Sequence, residues 1–477
     1  MFPAGLNYSG GVKMDILRED TIAAVATPFG TGGTGKIRIS GPDAYKIGDI
    51  LFRSAKNNKK ISEQKTYTAH YGHIVDPKRD KIIDEVVALL MKSPHSFTGE
   101  NVLEFDCHGG MTPLRSVLDL VLENGARLAE PGEFSRRAFL NGRIDLAQAE
   151  AIIEIINSKT DKGLDIAVDQ LSGKLSVKVD EIKEEAVEIL AHLEAAIDYP
   201  EDEIEGFSSK RLADRLEHIK EEIKKLLSTS QQGKIYKEGL KTVIVGKPNV
   251  GKSSLLNYFL EEKRAIVTDI PGTTRDVIEE YVNLKGIPLK IIDTAGIRDT
   301  ENEVEKIGVE RTRQSASKAD LVLFMLDISQ GITMEDKEIY KLIKEKPVIV
   351  IVNKTDLNSE LSRSNIEKEF SEHNILWISL LEEEGLDNLR NEIMDEILKD
   401  EIETDADLII TRSRHKNALK KSLSAVKRVI VSHETNLPYD FLTIDLKDCL
   451  NALGEITGET VAEDIIDRIF TDFCLGK

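Results

Sequence analysis

One stretch constrains this chain more than any other: Gly246-Lys247-Pro248-Asn249-Val250-Gly251-Lys252-Ser253. It follows the apolar run KTVIV (241–245) and opens the helical run SSLLNYFL. The pattern GxxxxGK[ST] between a strand and a helix makes a tight loop whose backbone N–H groups converge on phosphate oxygens, and the helix N-terminus adds positive potential. Asn249, Val250, Gly251 and Ser254 supply that cradle. Lys252 reaches the β- and γ-phosphates, and the Ser253 hydroxyl is a Mg²⁺ ligand. A chance glycine-rich loop would lack the ordered motifs that follow.

LKIIDTAG (289–296) is a strand ending in Asp293-x-x-Gly296. The carboxylate is placed to hold Mg²⁺ through water, and the Gly296 N–H to approach the γ-phosphate. VIVIVNKTD (348–356) is a third strand, ending in Asn353-Lys354-Thr355-Asp356. One carboxylate accepts from both guanine N1–H and the 2-amino group, a pair adenine cannot supply, so Asp356 makes the nucleotide GTP. ILWISLL (375–381) places Ser379 in a loop for guanine O6, although Leu380 stands where alanine is expected. In order and spacing these elements resemble the translation-factor-related small GTPases, which implies a mostly parallel sheet with helices on both faces.

The switch segments narrow the chemistry. Ile297 follows DTAG, an apolar residue where Ras-like enzymes orient water with glutamine. Thr274, in Thr268-Asp269-Ile270-Pro271-Gly272-Thr273-Thr274-Arg275-Asp276, is the natural Mg²⁺ ligand that senses the γ-phosphate. Arg275 is open to two readings: an arginine finger, or an ion pair with Asp276 or Glu279.

The flanks read as further domains, since 477 residues exceed one core. The expected architecture is multidomain. An α+β domain spans 1–133 (1–13 an extension before Met14), a discontinuous all-α domain spans 134–238 and 401–477, and an α/β P-loop domain is inserted at 239–400. Strand-like runs at 21–27, 36–40, 67–75, 84–91 and 101–107 alternate with helical spacing at 43–52 and 112–125. Leu175, Val179, Ile182, Ala186, Ile189, Leu193 and Ala196 form one helical stripe, and Leu212, Leu216, Ile219, Ile223 and Leu226 another. Both suit bundle helices better than a coiled coil. FGTGGTG (29–35) leads into a strand instead of a helix, so it is a turn and not a dinucleotide fingerprint. The net charge of −20 excludes a general basic field for nucleic acid, leaving RNA contact local or shared with a partner. Cys107, Cys449 and Cys474 form no CxxC pair or disulfide framework, which points to a reducing compartment. No apolar run approaches membrane-span length and no secretory signal is evident, so the expected location is the cytoplasm.

With these motifs, TGENVLEFDCHGG (98–110), EPGEFSRRAFLNGRIDLAQAEAI (130–152) and the terminal FCLGK (473–477), the chain closely resembles the MnmE (TrmE) family of tRNA-modification GTPases from Met14 to Lys477. The resemblance implies an N-terminal folate-binding domain that mediates homodimerisation. It implies a flavin-containing partner, MnmG (GidA), in a heterotetramer, and addition of a carboxymethylaminomethyl or aminomethyl group to C5 of the wobble uridine of certain tRNAs. A tetrahydrofolate derivative (5-formyl or 5,10-methylene) supplies the one-carbon unit. The family's K⁺ site carries over onto Asn249, Thr268, Ile270 and Thr273, where a monovalent cation supplies charge that an arginine finger otherwise brings. Its water-orienting acid aligns with Glu305, with Glu301 and Glu303 as neighbours. Its folate contacts fall on Arg38, Glu104, Arg143 and Lys477, and Arg143 differs from the lysine of enteric members. The resemblance makes Cys474 essential for modification, as nucleophile or as binding group. Cys107 and Cys449 read as buried small apolar residues. The competing classes are a ribosome-assembly GTPase, disfavoured by the single Walker motif and the lack of a KH signature, and a slow signalling switch.

Overall fold

The computed structural model describes residues 20–28, 30–56, 59–199, 208–261, 280–292, 313–357, 360–398, 408–471, 473 and 476. The chain packs as two units, one of residues 1–153 with 457–477, the other of 154–456. The first unit therefore takes in residues 134–153 and 457–477, both assigned to the helical domain on sequence alone.

Seven strands build the first unit's sheet: β1 (Ile22–Val25), β2 (Thr34–Ser40), β3 (Phe52–Ser54), β4 (Thr68–Asp76), β5 (Lys81–Met91), β6 (Val102–His108) and β7 (Arg127–Leu128). Their spatial order is β3-β4-β5-β6-β2-β1-β7, antiparallel except for β1 with β7. The α-helices α1 (Ala44–Leu51) and α2 (Met111–Glu123) cover its apolar face, burying Ile37, Ile39, Leu103 and Phe105 against Ile47, Leu51, Leu114 and Val117. This is the α+β domain that the alternating runs imply. α3 (Glu133–Leu140) packs on the terminal helix Glu463–Thr471, where an added Cβ at Gly132 would lie 2.3 Å from the Phe470 carbonyl.

The division between units falls within α4 (Leu146–Asn157). The second unit continues with α5 (Asp161–Leu171), α6 (Lys174–Asp198), α7 (Ser209–Ser228) and α8 (Ser230–Glu238). Thr160 and Ser208 cap α5 and α7 by accepting from the N–H groups of Gly163 and Arg211. The stripes on α6 and α7 are buried as their periodicity demands, except that Ala196 is only half-buried.

Within this helical frame sits a six-stranded sheet: β8 (Leu240–Val245), β9 (Glu280–Leu284), β10 (Ile287–Ile291), β11 (Leu321–Asp327), β12 (Val348–Asn353) and β13 (Ile375–Trp377). The order is β13-β12-β11-β8-β10-β9, parallel apart from β9. β11 and β12 are buried at every residue, as continuous apolar runs must be when both faces of a parallel sheet are covered. α9 (Lys252–Glu261), α10 (Met334–Ile343), α11 (Glu360–Glu369) and α12 (Leu386–Leu398) complete this α/β insertion. Two apolar clusters, one centred on Leu255, Phe259 and Leu389 and the other on Phe324, Ile339 and Phe370, lie against the sheet. The chain then returns to helix in α13 (Ser413–Glu434), which packs against α7, and α14 (Tyr439–Thr457). The P-loop domain is thus inserted in a helical domain.

Candidate functional site

The carboxyl ends of parallel strands are where an α/β sheet binds ligands. β8 runs into Gly246, whose φ of +151° and 2.4 Å approach of a built Cβ to the Met325 carbonyl leave no room for a side chain. The loop then turns through Asn249 at φ +65° and Gly251 at φ +109°, and α9 starts at Lys252. A non-glycine residue at positive φ costs energy and persists only where its surroundings impose it. The Lys252 ammonium donates to the carbonyls of Gly246 (2.7 Å) and Lys247 (2.6 Å). Burial pushes its pKa down to about 8 against the smaller opposing effect of the Glu335 carboxylate, so a bound anion would favour its charged form. Val250 is buried, Ser253 half-buried and Ser254 exposed, on the loop and first turn.

The guanine motif lies beside this loop because β12 runs parallel to β11, itself parallel to β8. Asn353 bridges three segments. Its Nδ2 donates to the Val250 carbonyl at 2.8 Å, and its Oδ1 accepts from the Leu380 N–H at 3.2 Å. Asp356 is exposed at the rim, and its Oδ1 accepts from the Ser379 hydroxyl at 2.6 Å. Ser379 is fully buried and its hydroxyl also accepts from the Glu382 N–H, so it orients the Asp356 carboxylate. Lys354, at φ +66°, pairs with buried Asp327 at 2.6 Å. Burial alone would raise the Asp327 carboxyl, but hydrogen bonds from Lys354 and Ser329 hold it below its ordinary value. Asp327 had no motif signal; only the β11–β12 register, Asp327 beside Asn353, brings it there.

Thr268, Ile270, Thr273, Thr274, Asp293, Gly296, Ile297 and Glu305 lie outside the described residues, as do Cys474 and Lys477. Among the expected Mg²⁺ ligands Ser253 is the described one, and its hydroxyl on the first turn of α9 is of a type that suits a hard cation.

A second constellation occupies the first unit. β2 and β6 pair with Arg38 opposite Glu104 and Lys36 opposite Asp106. Arg38 Nε donates to Glu104 Oε1 and Lys36 Nζ to Oε2, each at 2.7 Å, while Lys36 also reaches Asp106 at 2.7 Å. Burial would raise the Glu104 carboxyl, yet the Lys36 hydrogen bond and the Arg38 charge hold it below the usual range. Glu104 is therefore ionised and already engaged, each oxygen keeping one further acceptor position. The Arg38 guanidinium lies 5.6 Å from the Phe134 ring centre and 5.8 Å from that of Phe97, and donates to the Gly476 carbonyl at 3.3 Å. The C-terminus thus returns to Arg38. Arg143 is exposed on the turn after α3, and among the described residues it shares no hydrogen bond or ion pair with Arg38 or Glu104. Lys36 was missed, although the alternation Lys36-x-Arg38 against Glu104-x-Asp106 carried the signal.

Cys107 and Cys449 are buried, and burial pushes their thiols up to about 12 and about 11; the Cys449 sulfur sits 3.0 Å from the Ser422 hydroxyl. No group of three or more His, Cys, Asp or Glu suited to a metal ion occurs among the described residues. Among them, too, no helix is long and apolar enough to cross a membrane.

A phosphate loop and an Asn-Lys-x-Asp loop, bridged by Asn353 on a parallel sheet, define a P-loop GTPase. Residues 21–143 match the family described as GTP-binding protein TrmE N-terminus, and residues 146–474 the MnmE helical domain. The tRNA modification GTPase MnmE of Alkaliphilus oremlandii is 50% identical, over 96% of this chain and 99% of that protein. Its counterpart in Clostridioides difficile is 51% identical over the same shares. The chain belongs to the MnmE family of tRNA modification GTPases. It is a GTP hydrolase, an activity that implies Mg²⁺.

Proposed function

We propose that this protein uses GTP hydrolysis to drive C5 modification of the wobble uridine of certain tRNAs. In this reading it works in the cytoplasm as a homodimer, with a flavin-containing MnmG-type partner and a tetrahydrofolate one-carbon unit. The observation that supports the folate assignment most is the Arg38–Glu104 pair beside the Gly476 carbonyl. It offers acceptor positions for a pterin edge, a guanidinium for a carboxylate tail and two aromatic walls. Lys477 and Arg143 add cations, and Cys474, two residues before Gly476 in the sequence, serves the modification as nucleophile or as binding group. Domain limits at 133, 238 and 400 belong to the same reading, with residues 134–153 and 457–477 as the part of the helical domain that packs in the unit of the N-terminal sheet.

Wobble uridines from cells lacking this protein should lose the aminomethyl or carboxymethylaminomethyl group by mass spectrometry. Wild type should restore it and Cys474→Ser should not, although the variant still hydrolyses GTP. Intact modification in the deletion strain would sink the proposal, and restoration by Cys474→Ser would remove the thiol from it.

In the GTPase cycle, Lys252 and the loop N–H groups would hold the triphosphate, and Ser253, Thr274 and Asp293 would hold Mg²⁺, which supplies positive charge to the β- and γ-phosphate oxygens when bound. Asn249, Thr268, Ile270 and Thr273 would hold K⁺, which supplies further positive charge beside the phosphates when bound, and the Gly296 N–H would be available to the γ-phosphate. Glu305 orients the attacking water in place of the missing glutamine. Turnover should be faster in K⁺ than in Na⁺ at equal ionic strength, and Glu305→Ala should lower kcat by about 10²-fold or more while GTP still binds. Equal rates in both salts would exclude K⁺, and normal turnover would exclude Glu305.

A further inference from the structure

Behind the phosphate loop runs a charged path that none of the four nucleotide motifs accounts for. Lys247 is buried, and its ammonium lies 3.0 Å from Asp336 Oδ2, 3.1 Å from Thr333 Oγ and 3.4 Å from Gln330 Oε1. A lysine withdrawn from water is tolerated only when its charge is matched. Asp336 is fully buried, and its second oxygen has no hydrogen-bond partner. Thr333 and Asp336 also form the capping box of α10, with the Thr333 N–H donating to Asp336 at 2.8 Å. That box closes without Lys247, so helix capping does not explain the lysine. Gln330 continues the path, its Nε2 donating at 3.3 Å to Asp327 Oδ2, the oxygen that pairs with Lys354. Residues 327–336 therefore link Lys247, in the phosphate loop, to Lys354, in the guanine motif. The Lys247 carbonyl is meanwhile one of the two that hold the Lys252 ammonium.

We propose that Lys247 is a positioning residue for GTP, bracing the phosphate loop through Asp336, Gln330 and Asp327 against the loop that reads guanine. The brace fixes the separation between the seats of the triphosphate and the base, so that both ends of one nucleotide are held together. The inference deepens the GTPase assignment and rests on the phosphate loop being the triphosphate site. Lys252→Ala tests that premise by itself, since it should abolish binding whether or not a brace exists.

Lys247→Met should release GDP and GTP about tenfold faster, with kcat at saturating GTP falling by a smaller factor. Lys247→Arg, which keeps the charge, should restore wild-type release. Combined with Asp327→Asn, Lys247→Met should have an effect on release that departs at least about threefold from the product of the single effects, as expected of residues in one network. Should Lys247→Met leave Asp336 unmatched and unfold the domain, Lys247→Met with Asp336→Asn removes both charges and must still release nucleotide faster. Release within twofold of wild type in a folded variant, or strict additivity with Asp327→Asn, would overturn the brace.

Discussion

Asp356→Asn should cost this protein about 10³-fold or more in GTP affinity and gain it xanthosine triphosphate. In the proposed role the carboxylate accepts from two guanine donors, and an amide turned toward them would set its own N–H₂ against N–H. Ser379 decides which way the amide turns. Its hydroxyl accepts from the Glu382 N–H and donates to Asp356 Oδ1 at 2.6 Å. In the variant the amide oxygen keeps that hydrogen bond, which leaves Nδ2 for the base. Xanthine carries a carbonyl where guanine carries its 2-amino group, so the N–H₂ gains a partner. Asp356 is exposed and the fold should survive, separating lost recognition from lost stability. Titration of both triphosphates checks this; unchanged GTP affinity would remove Asp356 from base reading.

Gly251→Ala should weaken GTP binding by about two orders of magnitude, for a reason that lies in the tertiary structure. At φ +109° an L-residue is strained, and a Cβ there would stand 2.3 Å from Asn353 Nδ2. Asn353 cannot retreat freely, because its amide joins the Val250 carbonyl to the Leu380 N–H. The free loop relieves this by opening, and closing it around nucleotide must then restore backbone strain of about 1–2 kcal/mol and forgo a buried hydrogen bond of about 1 kcal/mol, together roughly the 2.7 kcal/mol of a hundredfold change. Calorimetric titration with GTP should show the loss, while the melting temperature falls by only a few degrees. Affinity within threefold of wild type would mean the loop can open at Gly251 without losing its grip.

Both effects depend on parts of the protein that differ in how far they can be read from sequence. The phosphate loop, the guanine motif and the two stripes of α6 and α7 were legible because each is a local pattern with a local cause. Apolar period sets a buried helix face, and glycine spacing sets a phosphate cradle. The grouping of residues 134–153 and 457–477 with the N-terminal sheet was not legible. Gly132 against the Phe470 carbonyl is a contact between residues 338 positions apart (470 − 132), and no periodicity records it.

The same division runs through the site. Lys252, Asn353 and Asp356 were named from their motifs, whereas their partners were not. Asp327 meets Lys354 through the register of β11 with β12, and Lys36 meets Glu104 through that of β2 with β6. The sequence by itself determined the chemistry: a loop for phosphate, a carboxylate for guanine, and covered parallel strands to carry them. Only the tertiary structure decided how those groups are held, by Ser379 on Asp356, Asn353 across three segments and Lys247 on Asp336. A motif encodes side chains that are close along the chain. Strand register and packing bring together groups that are remote along it, and the chain does not mark them.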